Sequence, residues 1–142
     1  MIKEFKGKYF FLSNFYESPI YYEGVIYQNN VAAFQAQKNR DPLIKKEFMF
    51  LSPSEAKRKG HQIPLRDDWE EVKDKIMLQV CRCKFTQNSE LKKRLLDTGD
   101  EILVKGNTWH DNYWGICCCD KCKDKEGKNK LGEILMFIRD SF

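Results

Sequence analysis

Two hydrophobic periods follow one another along this chain. Near the start the apolar residues come in short aromatic runs. Lys8-Tyr9-Phe10-Phe11-Leu12 is the first, and Ile20-Tyr21-Tyr22 and Val25-Ile26-Tyr27 flank Glu23-Gly24. Such runs favour strands, and the two turn-forming residues between the last pair predict a hairpin. From Val31 the period lengthens to that of a helix. Val31, Phe34, Gln35 and Lys38 fall at i, i+3, i+4 and i+7 on one face, with Asn30 placed to cap the first turn. Asp41-Pro42 stops this helix near Arg40, and a second helical piece follows over about 43–50. Ser52-Pro53-Ser54-Glu55 has the cap, the early Pro and the Glu of a helix start, and Gly60 closes that helix.

Asp67-Asp68 puts negative charge at the head of a longer helix, whose buried stripe is predicted as Val72, Ile76, Val80 and Cys83. Ser89 is predicted to cap the next helix, with Leu91, Leu95 and Leu96 inward and Gly99 ending it. Ile102-Leu103-Val104 predicts a short strand, residues 106–128 an ordered loop, and Leu131, Ile134, Leu135 and Ile138 a last helix. The expected architecture is α+β, mainly helical: one compact domain over residues 1–142, with short N-terminal strands and about six helices. The absence of a βαβ rhythm argues against a doubly wound parallel sheet.

Composition narrows the class. With 142 residues, 42% of them hydrophobic, and ten Phe, six Tyr and three Trp, the chain can fill one core and is not a disordered tail. No apolar run reaches the length of a membrane span, and Met1-Ile2-Lys3-Glu4-Phe5-Lys6 lacks the apolar segment of a signal peptide. The expectation is a cytoplasmic protein without a membrane partner. The net charge of +4 is dispersed among acids; it suits a phosphate-bearing ligand but forms no basic block.

Three polar groups interrupt apolar sequence. Asn14 lies between Phe11-Leu12 and Phe15; alone it reads as a turn amide. Gln35 and Lys38 share a helix face with Val31 and Phe34, where a lysine is either a snorkelling surface residue or a site residue. Trp109-His110-Asp111-Asn112-Tyr113-Trp114-Gly115 packs rings and amides into one loop, a composition that sandwiches planar bases. Of the six cysteines, Cys119 and Cys122 have the spacing of half a zinc knuckle, and His110 could assist. Cys117 and Cys118 precede them without useful spacing, and Cys81 and Cys83 point in different directions on a helix. The other histidine, His61, reads as a loop residue. No phosphate loop, dinucleotide fingerprint or Ser-His-Asp order is present, and no cofactor is expected.

Several segments in order then resemble a known family. They are Phe11-Leu12-Ser13-Asn14-Phe15, Phe34-Gln35-Ala36-Gln37-Lys38, Trp69, Met77, Lys84-Phe85-Thr86-Gln87-Asn88, Leu96-Asp97-Thr98-Gly99-Asp100, Trp109-His110-Asp111 with Trp114-Gly115, and Gly127-Lys128-Asn129-Lys130-Leu131-Gly132 through Arg139. Together they resemble the NADAR family, over nearly the whole chain. The resemblance implies a compact, mainly helical α+β fold and an N-glycosidase that cleaves a ribose C1–N bond. Its substrates would be ADP-ribosylated guanine bases or phosphoribosylated pyrimidines of the riboflavin pathway. The implied partners are therefore an ADP-ribose-type or ribosylated-base small molecule, or ADP-ribosylated DNA. It implies catalytic roles for Lys38 and Asp111, and substrate contacts from Asn14, Phe15, Gln35, Trp69, Trp114, Asn129 and Arg139.

One position departs from the family. Many members carry Glu three residues before the Phe of the Phe-Gln-Ala motif, and here that position is Val31. A carboxylate there would lie about two helical turns, roughly 10 Å, from Lys38. Valine can neither protonate a leaving nitrogen nor hold a ribose hydroxyl. The alternatives are a catalytically weakened ADP-ribose or nucleotide-binding module, and a small zinc-dependent nucleic-acid-binding protein built on Cys119 and Cys122. On the enzyme reading, Lys38 captures C1 of the ribose as a Schiff base.

Overall fold

The computed structural model describes residues 1–142 and is mainly helical, with two two-stranded sheets. Six α-helices are present: α1 (Asn30–Ala36), α2 (Pro42–Lys46), α3 (Pro53–Gly60), α4 (Trp69–Thr86), α5 (Ser89–Leu96) and α6 (Lys130–Ser141). The strands are β1 (Glu17–Tyr22), β2 (Val25–Asn29), β3 (Gly106–Asn107) and β4 (Ile116–Cys117). Contacts gather into two compact units: Asn14–Ser89, and Met1–Ser13 together with Glu90–Phe142.

In the Asn14–Ser89 unit, β1 and β2 form the predicted antiparallel hairpin. Glu23 (φ 47°) and Gly24 (φ 88°) both take positive φ, as the tight two-residue turn requires. β1 alternates strictly, burying Ser18, Ile20 and Tyr22. Its register slips between Glu17 and Ile20, around Pro19, which cannot donate to the ladder. α1 packs on α3, α4 and the hairpin. Ala32, Ala33 and Ala36 are fully buried, so the backbones approach closely. Tyr27, Phe48, Val80 and Phe85 complete the core of this unit.

The helix caps and ends differ in places from the sequence expectation. The cap of α1 is Asn29, whose side chain accepts from the Ala32 N–H at 2.8 Å, and Asn30 is already helical. α1 ends at Ala36 rather than Arg40, because the Gln37 side chain takes the Ala33 carbonyl (2.9 Å) that the ladder would otherwise use. Lys38 thus sits in the turn after the helix. α2 is shorter than predicted, whereas α3 carries its capping box between Ser52 and Glu55. The buried stripe of α4 is Trp69, Ile76, Met77, Val80, Cys81, Lys84 and Phe85, rotated away from Val72 and Cys83.

In the other unit, Gly7–Leu12 is a 3-10 helix and not a strand. Phe11 and Leu12 face inward while Phe10 stays exposed, a spacing that a tight helical turn satisfies. The predicted strand at 102–104 reduces to one parallel bridge between Leu103 and Ile2. Ser89 is the first residue of α5 rather than its cap, and Leu96 is exposed while Leu91 and Leu95 are buried. β3 and β4 are parallel and two residues long, and they clasp the base of the 106–128 loop. α6 buries Leu131, Leu135 and Ile138, while Ile134 is only half-buried.

Candidate functional site

The Asn14–Ser89 unit holds Lys38 and the amides. The backbone around Lys38 is fixed from two sides. Its carbonyl accepts from the Arg66 N–H at 2.7 Å, and its N–H donates to the Gln35 carbonyl at 3.2 Å. Arg66 is itself gripped by both oxygens of Asp68, at 2.6 and 3.0 Å, and donates to the Gln37 carbonyl at 3.4 Å. The Asn39 amide ties the next residue to the Pro64 carbonyl. The Lys38 side chain is half-buried and its ammonium makes no hydrogen bond or ion pair. Burial alone lowers its pKa from the ordinary lysine value. A desolvated, unpartnered amine on a rigid turn is chemically a nucleophile in waiting.

Asn14 lies in a small polar cluster inside apolar surroundings. Its Oδ1 accepts from Asn30 Nδ2 at 3.1 Å and from the Cys81 thiol at 3.7 Å. Its Nδ2 donates to Met77 Sδ at 3.4 Å, and its carbonyl accepts from the Val31 N–H at 3.3 Å. Asn14 therefore acts as more than a self-bonded turn amide. Asn30 is 1% exposed and its Oδ1 has no donor; Gln35 Oε1 is likewise buried without one. Unpaired buried acceptors of this kind are where a ligand hydroxyl or a water completes the hydrogen bonding. Gln35 is held by close packing, since a Cβ at Gly60 would fall 2.0 Å from its Oε1. Val31 is a buried apolar residue in the first turn of α1. Trp69 is 6% exposed, its ring centroid 5.0 Å from that of Phe34. Phe15 is exposed.

In the other unit, Asp111 shapes its own loop. Its Oδ2 meets Lys105 Nζ at 2.9 Å, and its Oδ1 accepts from the N–H groups of Trp114 (2.9 Å) and Tyr113 (3.2 Å). Burial pushes its pKa up, but the Lys105 contact and the two N–H donors outweigh that and hold it below the usual carboxylate value. Asn107 continues the scaffold, accepting from the Trp109 and Asp111 N–H groups and donating to the Asp111 carbonyl. The Trp114 ring stands edge-on to Tyr113 at 4.8 Å, and Trp109 is exposed. Asn129, in the left-handed region at φ 51°, spends both ends of its amide on the Leu103 carbonyl and the Lys105 N–H. Arg139 donates to Thr98 Oγ1 and the Glu101 carbonyl, both at 2.9 Å. An open groove of about 510 Å³ in this unit is lined by Lys8, Phe11, Arg94 and Asp97 among others; Asp111, Trp114, Asn129 and Arg139 do not line it, although Thr98 and Glu101, the partners of Arg139, do. Arg94 there donates to the Lys8 carbonyl and lies over the Phe11 ring.

The structure gives new partners to residues to which the sequence assigned no site role. Asn30, Cys81 and Arg66 support the two groups in the Asn14–Ser89 unit. Lys84, 2% exposed, lies over the Tyr16 and Phe85 rings at 5.4 and 5.2 Å. Its place in Lys84-Phe85-Thr86-Gln87-Asn88, three residues after Cys81, was the available signal. Cys117, set aside on spacing, joins His110, Cys119 and Cys122, whose ligand atoms lie within 4.8 Å of one another.

The chain matches known proteins along nearly its whole length. The model of the NADAR domain fits residues 2–142. N-glycosidase YbiA of Escherichia coli (strain K12) is 40% identical over 131 residues, covering 90% of this chain and 78% of that protein. An N-glycosidase of Nostoc punctiforme is 34% identical over 137 residues, covering 90% and 82%. A riboflavin biosynthesis protein of Vibrio vulnificus is 33% identical over 133 residues, which is 92% of this chain but 35% of that one. The NMR structure of E. coli YbiA superposes with a TM-score of 0.80 at 35% identity, covering 99% of this chain and 86% of that chain.

Proposed function

The chain belongs to the NADAR domain family, and from that premise we propose that it is an N-glycosidase hydrolysing a ribose C1–N bond, with residues 1–142 acting as one catalytic domain. The substrate class is a ribosylated base: a phosphoribosylated pyrimidine of the riboflavin pathway, or guanine carrying ADP-ribose. The names of the E. coli and Nostoc relatives support the bond type, and the name of the Vibrio relative supports the riboflavin pathway. The observation that carries the reading is the Lys38 amine, half-buried and unpaired on a braced turn.

The chemistry runs in two balanced steps. The glycoside opens to an iminium at C1, the neutral Lys38 amine adds there, and the base nitrogen leaves with a proton. What remains is a Lys38–C1 Schiff base. Water then adds to C1, Lys38 departs as the amine, and the sugar is released. The net consumption is one water. Asn14, Asn30 and Gln35 are the amides assigned to the sugar hydroxyls, two of them with acceptors to spare. Asp111 is a positioning residue that presents Trp114 through its backbone N–H.

Val31 sets the rate. Position 31 is in the first turn of α1, where a helix favours a carboxylate, and this chain buries an isopropyl group there. The specific rival reading is therefore a module that binds the sugar nucleotide and turns it over slowly. Assaying wild type and Val31→Glu for sugar release from ribosylated pyrimidines and ADP-ribosylated guanine tests both. Release of free base and sugar by either protein supports the glycosidase. Tight binding with no release by both would overturn it in favour of the module.

A further inference from the structure

We propose that His110, Cys117, Cys119 and Cys122 bind one zinc ion in a closed Cys3His site that staples the 106–128 loop. The proposal is independent of the glycosidase reading, because it concerns only how this loop is held.

The geometry is that of a preformed coordination shell. His110 Nδ1 lies 3.3 Å from Cys122 Sγ, 3.4 Å from Cys119 Sγ and 3.8 Å from Cys117 Sγ, and Cys117 Sγ lies 3.3 Å from Cys119 Sγ. A zinc tetrahedron built from ordinary Zn–S and Zn–N bonds has edges of about 3.5–3.8 Å. Three of these four spacings lie just under that range and the fourth at its upper end, and all four ligand atoms fall within 4.8 Å of one another. The backbone has been bent to achieve it. His110 takes φ 71°, in the left-handed region, which turns its ring toward the sulfurs. The short 3-10 turn Asp120–Cys122, with Cys122 N–H on the Cys119 carbonyl at 3.0 Å, brings the two knuckle cysteines together. The β3–β4 bridge places Cys117 beside them.

Outer contacts have the form expected around thiolate ligands. The His110 N–H donates to Cys117 Sγ at 3.3 Å, and the Cys117 N–H donates to Asn112 Oδ1 at 2.9 Å. Cys118 is excluded, since its thiol turns to the Asn107 carbonyl at 3.3 Å. Three soft sulfurs and one imidazole nitrogen suit zinc above the hard cations, and four protein ligands leave no open position for catalysis. Binding would release three thiol protons and leave one net negative charge, close in sequence to Lys121, Lys123 and Lys125. The consequence is mechanical. One ligand, His110, immediately precedes Asp111, so the ion would pin the segment that carries Asp111 and Trp114 to the distal end of the loop.

The test is metal analysis of the full, untagged chain purified under reducing conditions. About one zinc per chain is expected. Cys119→Ser and Cys122→Ser should each lose it, whereas Cys118→Ser should keep it. Replacement of the ion by Co(II) in wild type, which needs no variant to fold, should give tetrahedral visible bands with a thiolate charge-transfer band. Stripping the ion should make the loop susceptible to trypsin at Lys121, Lys123 and Lys125. Reduced protein that carries no zinc and gives no Co(II)–thiolate band overturns the proposal. So does zinc lost equally from Cys118→Ser, or a chain two protons lighter from a Cys117–Cys119 disulfide in freshly purified protein.

Discussion

Lys38 and Asp111 are the two ionisable groups singled out for chemistry, and their surroundings are opposite. Lys38, in the Asn14–Ser89 unit, is half-buried with its charge unanswered. Asp111, in the other unit, is equally half-buried, yet both oxygens are spoken for by Lys105, Trp114 and Tyr113. Desolvation acts on both. In Lys38 it stands alone and lowers the pKa; in Asp111 it is overruled and the pKa falls. Burial without partners makes a group reactive, whereas burial with partners makes it a brace. On the proposed function, the covalent work falls to the amine and the loop geometry to the acid.

The largest effect expected is on Lys38. Lys38→Ala should lower kcat by about 10⁴-fold or more with an unchanged fold, as loss of a covalent nucleophile does. Lys38→Arg should be equally dead, because a guanidinium keeps the charge but forms no imine; recovery of activity by Arg would show that charge alone matters. Next comes Val31→Glu, which should raise turnover by about 10²–10⁴-fold, the range of one acid–base group. Its cost to stability should be about 1–2 kcal/mol for burying a carboxylate, measured by denaturant unfolding. A flat kcat would remove position 31 from the account.

Asp111→Ala should break the comparison from the other side. Loss of three contacts predicts destabilisation by about 1–3 kcal/mol, with turnover per folded molecule changed less than about tenfold. A collapse of kcat at full stability would make the acid catalytic. The pH dependence has opposite signs at the two groups. Asp111 has a folded pKa below 3.8, so its stabilisation is complete above that value and lost as pH falls through the folded pKa. Lys38 has a folded pKa below 10.5, so the unfolded chain holds more protons between the two values and stability rises with pH there. The activity profile should rise with pH to a plateau whose midpoint is below 10.5. The smallest effect is that Lys38→Met removes this stability limb and raises stability at neutral pH by at most about 1 kcal/mol.

Much of this was readable from residue order. The Glu23-Gly24 hairpin, the Ser52 capping box and the α6 stripe followed from local rules, because each is fixed within a few residues. The aromatic run at 8–12 misled, since three consecutive large residues suit a 3-10 turn with one face buried as well as a strand. The end of α1 was also hidden. It depends on Gln37 reaching the Ala33 carbonyl and Tyr27 Oη, and the latter is a tertiary contact. At the candidate site, Lys38 and Asn14 stand out in the sequence as polar breaks in apolar surroundings. Asn30 and Cys81 were not, because their partner is Asn14, 16 and 67 residues away. The same holds for Cys117. Its spacing to Cys119 carries no signal, and only the His110 backbone turn and the β3–β4 bridge put it beside the knuckle.

The central claim is that Lys38 becomes bonded to the sugar. The most direct measurement is borohydride reduction during turnover of a ribosylated substrate by wild type and Val31→Glu, followed by peptide mass spectrometry. The account predicts a reduced sugar adduct on Lys38, with trypsin no longer cutting after that residue. Turnover by either protein with Lys38 left unmodified, or an adduct on another lysine that survives Lys38→Ala, would contradict it.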